Sequence, residues 1–106
     1  MYTLPNDSGY KTALEGVHLK TLVHGENTSM HAFRLEKGAK IPSHSHPHEQ
    51  TGYLVSGRMQ FTLGDEVFMA EPGTSWNVPG NVAHHVDVLE EALVIEVFSP
   101  VREDYF

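Results

Sequence analysis

Turn-forming residues recur along this chain of 106 residues at intervals that leave room only for short strands. Gly, Pro, Asn and Asp separate runs of apolar or alternating residues, and no segment has the period of an amphipathic helix. We predict strands over 17–24, 29–35, 39–46, 50–56, 58–63, 66–70, 74–78, 82–88 and 92–98. Short strands at roughly 8–12-residue spacing indicate an all-β sandwich or barrel.

The length and the charge limit the number of domains and the kinds of partner. A chain of 106 residues fits one domain, with an arm over 1–16, a barrel over 17–98 and a tail over 99–106. The net charge is −7, from 7 Lys and Arg against 14 Asp and Glu. We therefore expect neither nucleic acid nor a membrane as partner. The absence of cysteine excludes disulfides and is compatible with the cytoplasm, the location we expect.

One stretch between two glycines, GAKIPSHSHPHEQTGYLVSG at 38–57, concentrates nitrogen donors. Residues two apart on a strand point to the same face, so His44 and His46 on the predicted strand can converge on one ion. A third donor must come from a later segment, where His84 and His85 form a second pair. The sequence therefore predicts a metal site within a small barrel.

The spacing of these glycines and histidines resembles the two motifs of the cupin superfamily, in its small single-domain form. The first motif is matched by Gly38, His44, His46, Gln50 and Gly57, and the second by Gly73, Pro79 and His84. Asn81 stands where a glycine is usual in the second motif. The resemblance covers residues 38–88 and implies a double-stranded β-helix, the jelly-roll barrel of cupins.

The same resemblance implies that four side chains hold one divalent transition metal: His44, His46, Gln50 and His84. Three nitrogens and one amide oxygen suit Ni, Fe, Mn, Zn or Co, and the sequence leaves this choice open. Most metal cupins carry Glu at the position of Gln50. A neutral amide ligand leaves the full charge of the ion available to an anionic ligand, such as a substrate carboxylate.

A carboxyl group lies within the most apolar run of the chain, ALVIEVF at 92–98. Because both strand parities of this run are apolar, we predict that both of its faces are buried. A carboxyl group such as Glu96 is costly there unless it is paired or functional. Arg102 follows the next turn and can fold back, either to grip a substrate carboxylate or to form an ion pair that fastens the tail.

The closing residues E-V-F-S-P-V-R, with the HSHPHEQTGYLVSG segment, resemble the KdgF-type cupins of pectin and alginate catabolism. That resemblance implies ring opening and ketonisation of a 4,5-unsaturated uronate. It also implies that Glu96 transfers a proton and that Arg102 orients the substrate carboxylate. The acid is typically Asp in that family, so Glu96 is longer by one methylene. Four further residues are predicted to line the barrel mouth and bind substrate: Arg34, Tyr53, Gln60 and Trp76.

We therefore predict a metal-dependent isomerase of an unsaturated sugar acid, active as a homodimer. Two alternatives stay open. A metal-dependent dioxygenase would contain iron or manganese and would take up oxygen with a phenolic or diketone substrate. A non-catalytic sugar- or metabolite-binding cupin would bind its ligand without turnover.

Overall fold

The computed structural model describes residues 1–106, which form eight strands and one helical turn. The strands are β1 (Lys11–Leu14), β2 (Val17–His24), β3 (Ser29–Leu35), β4 (Lys40–His44), β5 (Glu49–Leu63), β6 (Glu66–Ala70), β7 (Ser75–Val78) and β8 (His84–Ser99). A single 3₁₀ turn, Glu103–Tyr105, lies in the tail. No helix has the length and apolar character needed to cross a membrane.

Two long strands, β5 and β8, form the spine of the barrel and pair antiparallel from Glu49–Ser99 to Leu63–His84. The second half of β8 pairs with β3, which continues through β2 to β1, and the first half of β5 pairs with β7. The first half of β8 pairs with β4, and the second half of β5 pairs with β6. Each spine strand therefore runs from one sheet into the other, and the two sheets enclose the core.

The sequence prediction divided each spine strand into two, and this was wrong. Glycine at 57 and the charged segment at 89–91 are bends within continuous strands, where the β5–β8 register shifts repeatedly between Leu54 and Met59. Gly57 has φ +94, and a Cβ there would lie 2.3 Å from the Glu91 carbonyl oxygen. Only glycine allows the two backbones to approach so closely at the bend.

The glycine positions of the two sequence motifs share a positive φ. Gly38, Gly57 and Gly73 have φ values of 85, 94 and 96. Asn81 has φ 67 and is the only non-glycine residue with a positive φ. Asparagine tolerates this left-handed region better than other side chains, which explains how it replaces the usual glycine of the second motif.

The barrel interior is filled by alternate residues of the strands. Sixteen buried apolar side chains form one cluster, and the largest fully buried members are Phe61, Phe98, Leu19 and Leu54. In the second half of β8, the inward residues are buried, while the outward residues Leu93, Ile95 and Val97 are only half-buried. The prediction that both faces of this run are buried is therefore wrong for the single chain.

Candidate metal centre

Three histidine rings from two segments meet at one end of the barrel interior. His44 ends β4 and is paired in register with His84, the first residue of β8. His46 lies beyond the end of β4, so the predicted strand over 39–46 extends two residues too far at its C-terminal end. The ligand nitrogens of the three rings nevertheless lie within 4.8 Å of one another. The convergence of His44 and His46 therefore depends on the loop as well as on strand alternation.

Backbone carbonyl groups fix the tautomer of each ring. The Nδ1 atom of His44 lies 2.9 Å from the Pro42 carbonyl oxygen, and that of His84 lies 2.9 Å from the Val82 carbonyl oxygen. The Nδ1 atom of His46 lies 3.0 Å from the carbonyl oxygen of His48. A carbonyl oxygen only accepts, so each Nδ1 carries the proton and each Nε2 presents a lone pair. This is the usual arrangement of histidines that bind metals.

Gln50 adds an oxygen donor to this group. It is the second residue of β5, and its side chain is buried. Its Oε1 lies 3.0 Å from Nε2 of His46. With the His46 proton on Nδ1, two lone-pair atoms face each other at this distance, an arrangement that a shared cation stabilises.

The electrostatics of the centre favour neutral imidazoles at His46 and His84. Burial lowers the pKa of His84 to about 4, with the neighbouring His44 and His46 acting in the same direction. Burial also lowers the pKa of His46, and the positive charge of Arg102 adds to this effect. The His84 Nε2 atom is buried and has no hydrogen-bond partner. A divalent metal ion fits this donor set because it would satisfy that orphaned nitrogen and the facing pair formed by His46 and Gln50.

A cavity of about 380 Å³ extends from the histidines through the barrel interior. Thirteen of its twenty lining residues are hydrophobic, and the polar ones gather around the histidines. Glu96 is the only acidic residue in the lining, and neither Lys nor Arg lines it. The cavity therefore combines a cluster of polar groups with a mainly apolar wall, which is typical of small-molecule sites.

Glu96 is held within the cavity wall by Trp76. The indole Nε1–H of Trp76 donates a hydrogen bond of 3.2 Å to Oε1 of Glu96, while Oε2 has no partner. Burial raises the pKa of Glu96 to about 8, and the polar side chains of Gln50 and Trp76 oppose this shift. The carboxyl group is therefore protonated in the metal-free protein at neutral pH. Trp76 does not itself line the cavity, but of the predicted substrate-binding residues it is the one in direct contact with Glu96.

Arg102, predicted as catalytic and substrate-binding, lies outside the lining. Its guanidinium group stacks on the rings of Phe98 and Tyr105, at 4.8 and 4.0 Å, and those two side chains line the cavity. Two of its nitrogens bind both carboxylate oxygens of Asp104, at 3.0 and 2.8 Å. The third, Nη1, is buried and has no partner. The structure therefore pairs Arg102 with a residue of its own tail rather than with Glu96 or another barrel residue, so this ion pair does not fasten the tail, and one guanidinium donor is left free.

The remaining predicted substrate-binding residues are not brought to the cavity. Arg34 is on the outer face of β3, where it lies over the Tyr10 ring at 4.8 Å. Tyr53 and Gln60 alternate with the inward residues of β5 and face outwards, and Tyr53 is 49% exposed. Strand parity decides this outcome, because residues adjacent to buried positions point to the opposite face. A role for these three residues stays a prediction that the cavity geometry does not support.

Sequence reasoning missed three residues around the site. Tyr105 enters the lining from the tail, and no local pattern distinguishes it. His31 is completely buried between Thr21 and Ser29, and alternation within 29–35 could have placed it on the inner face. Gly52 lies in the middle of a strand, where an isolated glycine often marks a close approach of neighbouring groups.

Comparisons with known proteins agree with this architecture. The family described as Cupin domain matches residues 31–98. An uncharacterised protein of Streptomyces coelicolor, SCO3923, is 32% identical over 91 residues, covering 85% of this chain and 86% of that protein.

Two solved structures are similar over nearly the whole chain. KdgF from a Halomonas species superposes with a TM-score of 0.93 at 27% identity, covering 100% of this chain and 98% of that one. An RmlC-like cupin from Shewanella frigidimarina has a TM-score of 0.93 at 24% identity, covering 99% and 95%. The predicted double-stranded β-helix and the resemblance to KdgF are thereby confirmed.

Proposed function

The chain belongs to the cupin family, and we propose that it is a metal-dependent isomerase that opens and ketonises a 4,5-unsaturated uronate or a related sugar acid. One observation carries this proposal: the only acidic side chain in the cavity wall, Glu96, shares the cavity with the three-histidine cluster. The activity itself comes from the resemblance to KdgF-type cupins, and the overall similarity to the Halomonas KdgF supports it.

His44, His46, His84 and Gln50 are the side chains that would hold the divalent metal. When bound, the ion would supply positive charge that stabilises the negative charge developing on substrate oxygens. The four protein ligands are neutral, so a substrate carboxylate is attracted to this end of the cavity rather than repelled by it. The mainly apolar wall lowers the local dielectric constant and would strengthen this attraction.

Glu96 would transfer the proton. In the reaction, the C1–O5 bond of the cyclic uronate breaks, C1 becomes an aldehyde carbon and the C5 enol becomes a ketone. C4 gains a proton and the C1 hydroxyl loses one, so the reaction needs no other reactant. A protonated Glu96 can give its proton to C4 and regain one from the hydroxyl group within the same turnover. A buried carboxyl group with a raised pKa is suited to this double role.

Arg102 retains a supporting role in this proposal. Its charge lies behind Phe98 and Tyr105, and its Nη1 is not used by Asp104. We expect it to orient the substrate carboxylate through its charge rather than by a bidentate hydrogen bond. The reason is that Nε and Nη2 of Arg102 already bind the carboxylate of Asp104. Arg102→Lys should therefore retain more activity than Arg102→Met.

The test follows the ultraviolet absorbance of the conjugated double bond in an unsaturated galacturonate. Protein reloaded with a divalent metal should remove this band faster than chelator-treated protein. Glu96→Gln should lower kcat by about 10²–10⁴-fold while the metal content is retained. Glu91→Gln, an exposed residue of the same strand, is the matched control and should turn over normally. Equal rates with and without metal would refute the proposal.

A second candidate, a dioxygenase acting on a phenol or a diketone, is favoured by the apolar character of the cavity wall. Such substrates have a polar end and an apolar body, which matches the arrangement of the lining. Oxygen uptake by iron-loaded protein with a diketone, together with inactivity towards the unsaturated uronate, would favour this function over the isomerase.

We also propose that two copies of the chain associate through the outer face of the larger sheet. That face carries the exposed side chains of Met30, Tyr53 and Val55, with the half-buried Ile95 between them. Apolar patches of this kind commonly mark protein interfaces. The sequence prediction of a homodimer makes a second copy of the chain the expected partner of this face. No residue of the metal centre lies on this face.

A further inference from the structure

Three adjacent strands place a tryptophan, a glycine and a glutamate in one row. Gly52 of β5 is paired in register with Trp76 of β7 on one side and with Glu96 of β8 on the other. All three positions face the barrel interior, and all three residues are buried. The residue between the two large side chains is therefore the one that has no side chain.

The space above Gly52 is filled by the pair that it separates. A Cβ atom at this position would lie 2.2 Å from Nε1 and 2.4 Å from Cε2 of Trp76, and 2.5 Å from Oε2 of Glu96. Gly52 is not among the glycines with a positive φ, so its backbone does not require glycine. The requirement is for space alone: any side chain at 52 would occupy the place where the indole meets the carboxyl group.

The hydrogen bond across this gap distinguishes the two oxygens of Glu96. An indole N–H only donates, so the Oε1 atom that receives it at 3.2 Å must act as an acceptor. The carbonyl oxygen of a carboxyl group is a better acceptor than its hydroxyl oxygen, so this contact favours Oε1 as the carbonyl oxygen and Oε2, which has no hydrogen-bond partner, as the hydroxyl oxygen. The Trp76 ring is itself held by Phe61, at 5.1 Å between centroids, and Phe61 stacks on Phe68 at 5.2 Å.

We infer that Trp76 is a positioning residue that aims Oε2 of Glu96 as the proton-carrying atom, and that Gly52 provides the gap this contact requires. The catalytic part of this inference rests on the proposed isomerase function. The geometric part concerns a contact that exists without substrate, so it can be tested even if the substrate is a different one. In this inference Trp76 orients an acid, whereas the sequence predicted that it binds substrate.

The geometric part is tested by the indole N–H signal in a ¹⁵N-correlated NMR spectrum, because Trp76 is the only tryptophan of the chain. Glu96→Leu removes the acceptor, and Gly52→Ala fills the gap. Both should shift this signal and accelerate its exchange with solvent, whereas Glu96→Gln, which keeps an acceptor oxygen, should shift it less. Gly25→Ala is the matched control, since a Cβ there has open space. An unchanged signal in folded Glu96→Leu or Gly52→Ala would overturn the inference.

The catalytic part is tested with Trp76→Phe, which keeps a ring against Phe61 but removes the N–H. Loss of this one hydrogen bond should lower kcat about tenfold and leave KM nearly unchanged. A raised KM with normal kcat would instead indicate substrate binding and overturn the positioning role. If the wild-type protein does not convert the unsaturated uronate at all, the proposed function fails. The NMR result then decides separately whether Trp76 positions Glu96.

Discussion

His31 offers a quantitative test of the buried polar network beneath the tail. The Thr21 hydroxyl donates to the Tyr105 carbonyl oxygen and therefore accepts from Nδ1 of His31 at 3.1 Å. Ser29 Oγ accepts the backbone N–H of Arg102, which leaves the Ser29 hydroxyl proton for Nε2 of His31 at 2.7 Å. The neutral ring is thus fully satisfied, and a protonated ring would leave the Ser29 proton without a partner.

The pKa of His31 sets the size of the effect. Burial lowers this pKa from 6.5 to about 4, and the charges of Arg102, His24 and Lys11 add to the shift while Asp104 opposes it. Because the unfolded chain binds the proton more readily, stability is complete above pH 6.5 and is lost as the pH falls towards 4. The linkage relation gives a loss of about 2 kcal/mol between pH 7.5 and pH 5.

Urea denaturation followed by tryptophan fluorescence measures this effect when a chelator is present. His31→Gln should be less stable than the wild type at pH 7.5, because a satisfied buried side chain is replaced. At pH 5 the difference between the two proteins should be smaller by about 2 kcal/mol, since Gln does not titrate. Arg34→Gln, at an exposed position of the same strand, controls for substitution in β3. A difference between wild type and His31→Gln that is the same at both pH values would refute the reasoning.

Three further predictions concern the metal, the bend and the outer face. His84→Ala should weaken metal affinity by more than the roughly 10–100-fold expected for an outer-sphere partner, whereas His85→Ala should not; chelator competition measures both. Gly57→Ala should lower the free energy of unfolding, measured by urea denaturation, by at least about 1–3 kcal/mol. The reason is that a Cβ there meets the Glu91 carbonyl oxygen and that the φ is +94. Unchanged stability would contradict the bend argument. Ile95→Glu should convert the proposed dimer to a monomer in light scattering, and an unaltered mass would place the interface elsewhere.

The three-histidine cluster could be predicted from sequence because the motifs that carry the cupin resemblance have local spacing. His44 and His46 are two residues apart, Gln50 follows closely, and the glycine frames fix where the chain turns. The fourth donor, His84, became visible only through the second glycine frame. The convergence of the three rings in the structure agrees with that reasoning. Asn81 shows the same principle, since its φ of 67 satisfies the backbone requirement that usually demands glycine.

The boundaries of the spine strands could not be predicted, because a bend and a turn have similar local composition. Gly57 and the charged segment at 89–91 both resemble chain reversals, yet each lies inside a continuous strand. Whether a glycine ends a strand or bends it depends on the neighbouring backbone, here the carbonyl of Glu91. That neighbour is distant in sequence, so local patterns cannot identify it.

By itself, the sequence determined the all-β class and the alternation that fills the core, and its resemblance to the cupin motifs pointed to the three histidines that the structure brings together. The class and the alternation follow from turn chemistry and from the two-residue period of a strand, both of which are local. Only the tertiary structure decided that Trp76 contacts Glu96 across Gly52 and that Asp104 forms a bidentate ion pair with Arg102. The same holds for Arg34, Tyr53 and Gln60, which lie outside the cavity. Such contacts depend on which strands become neighbours and on which face each residue points to, and both are set when the two sheets close around the core.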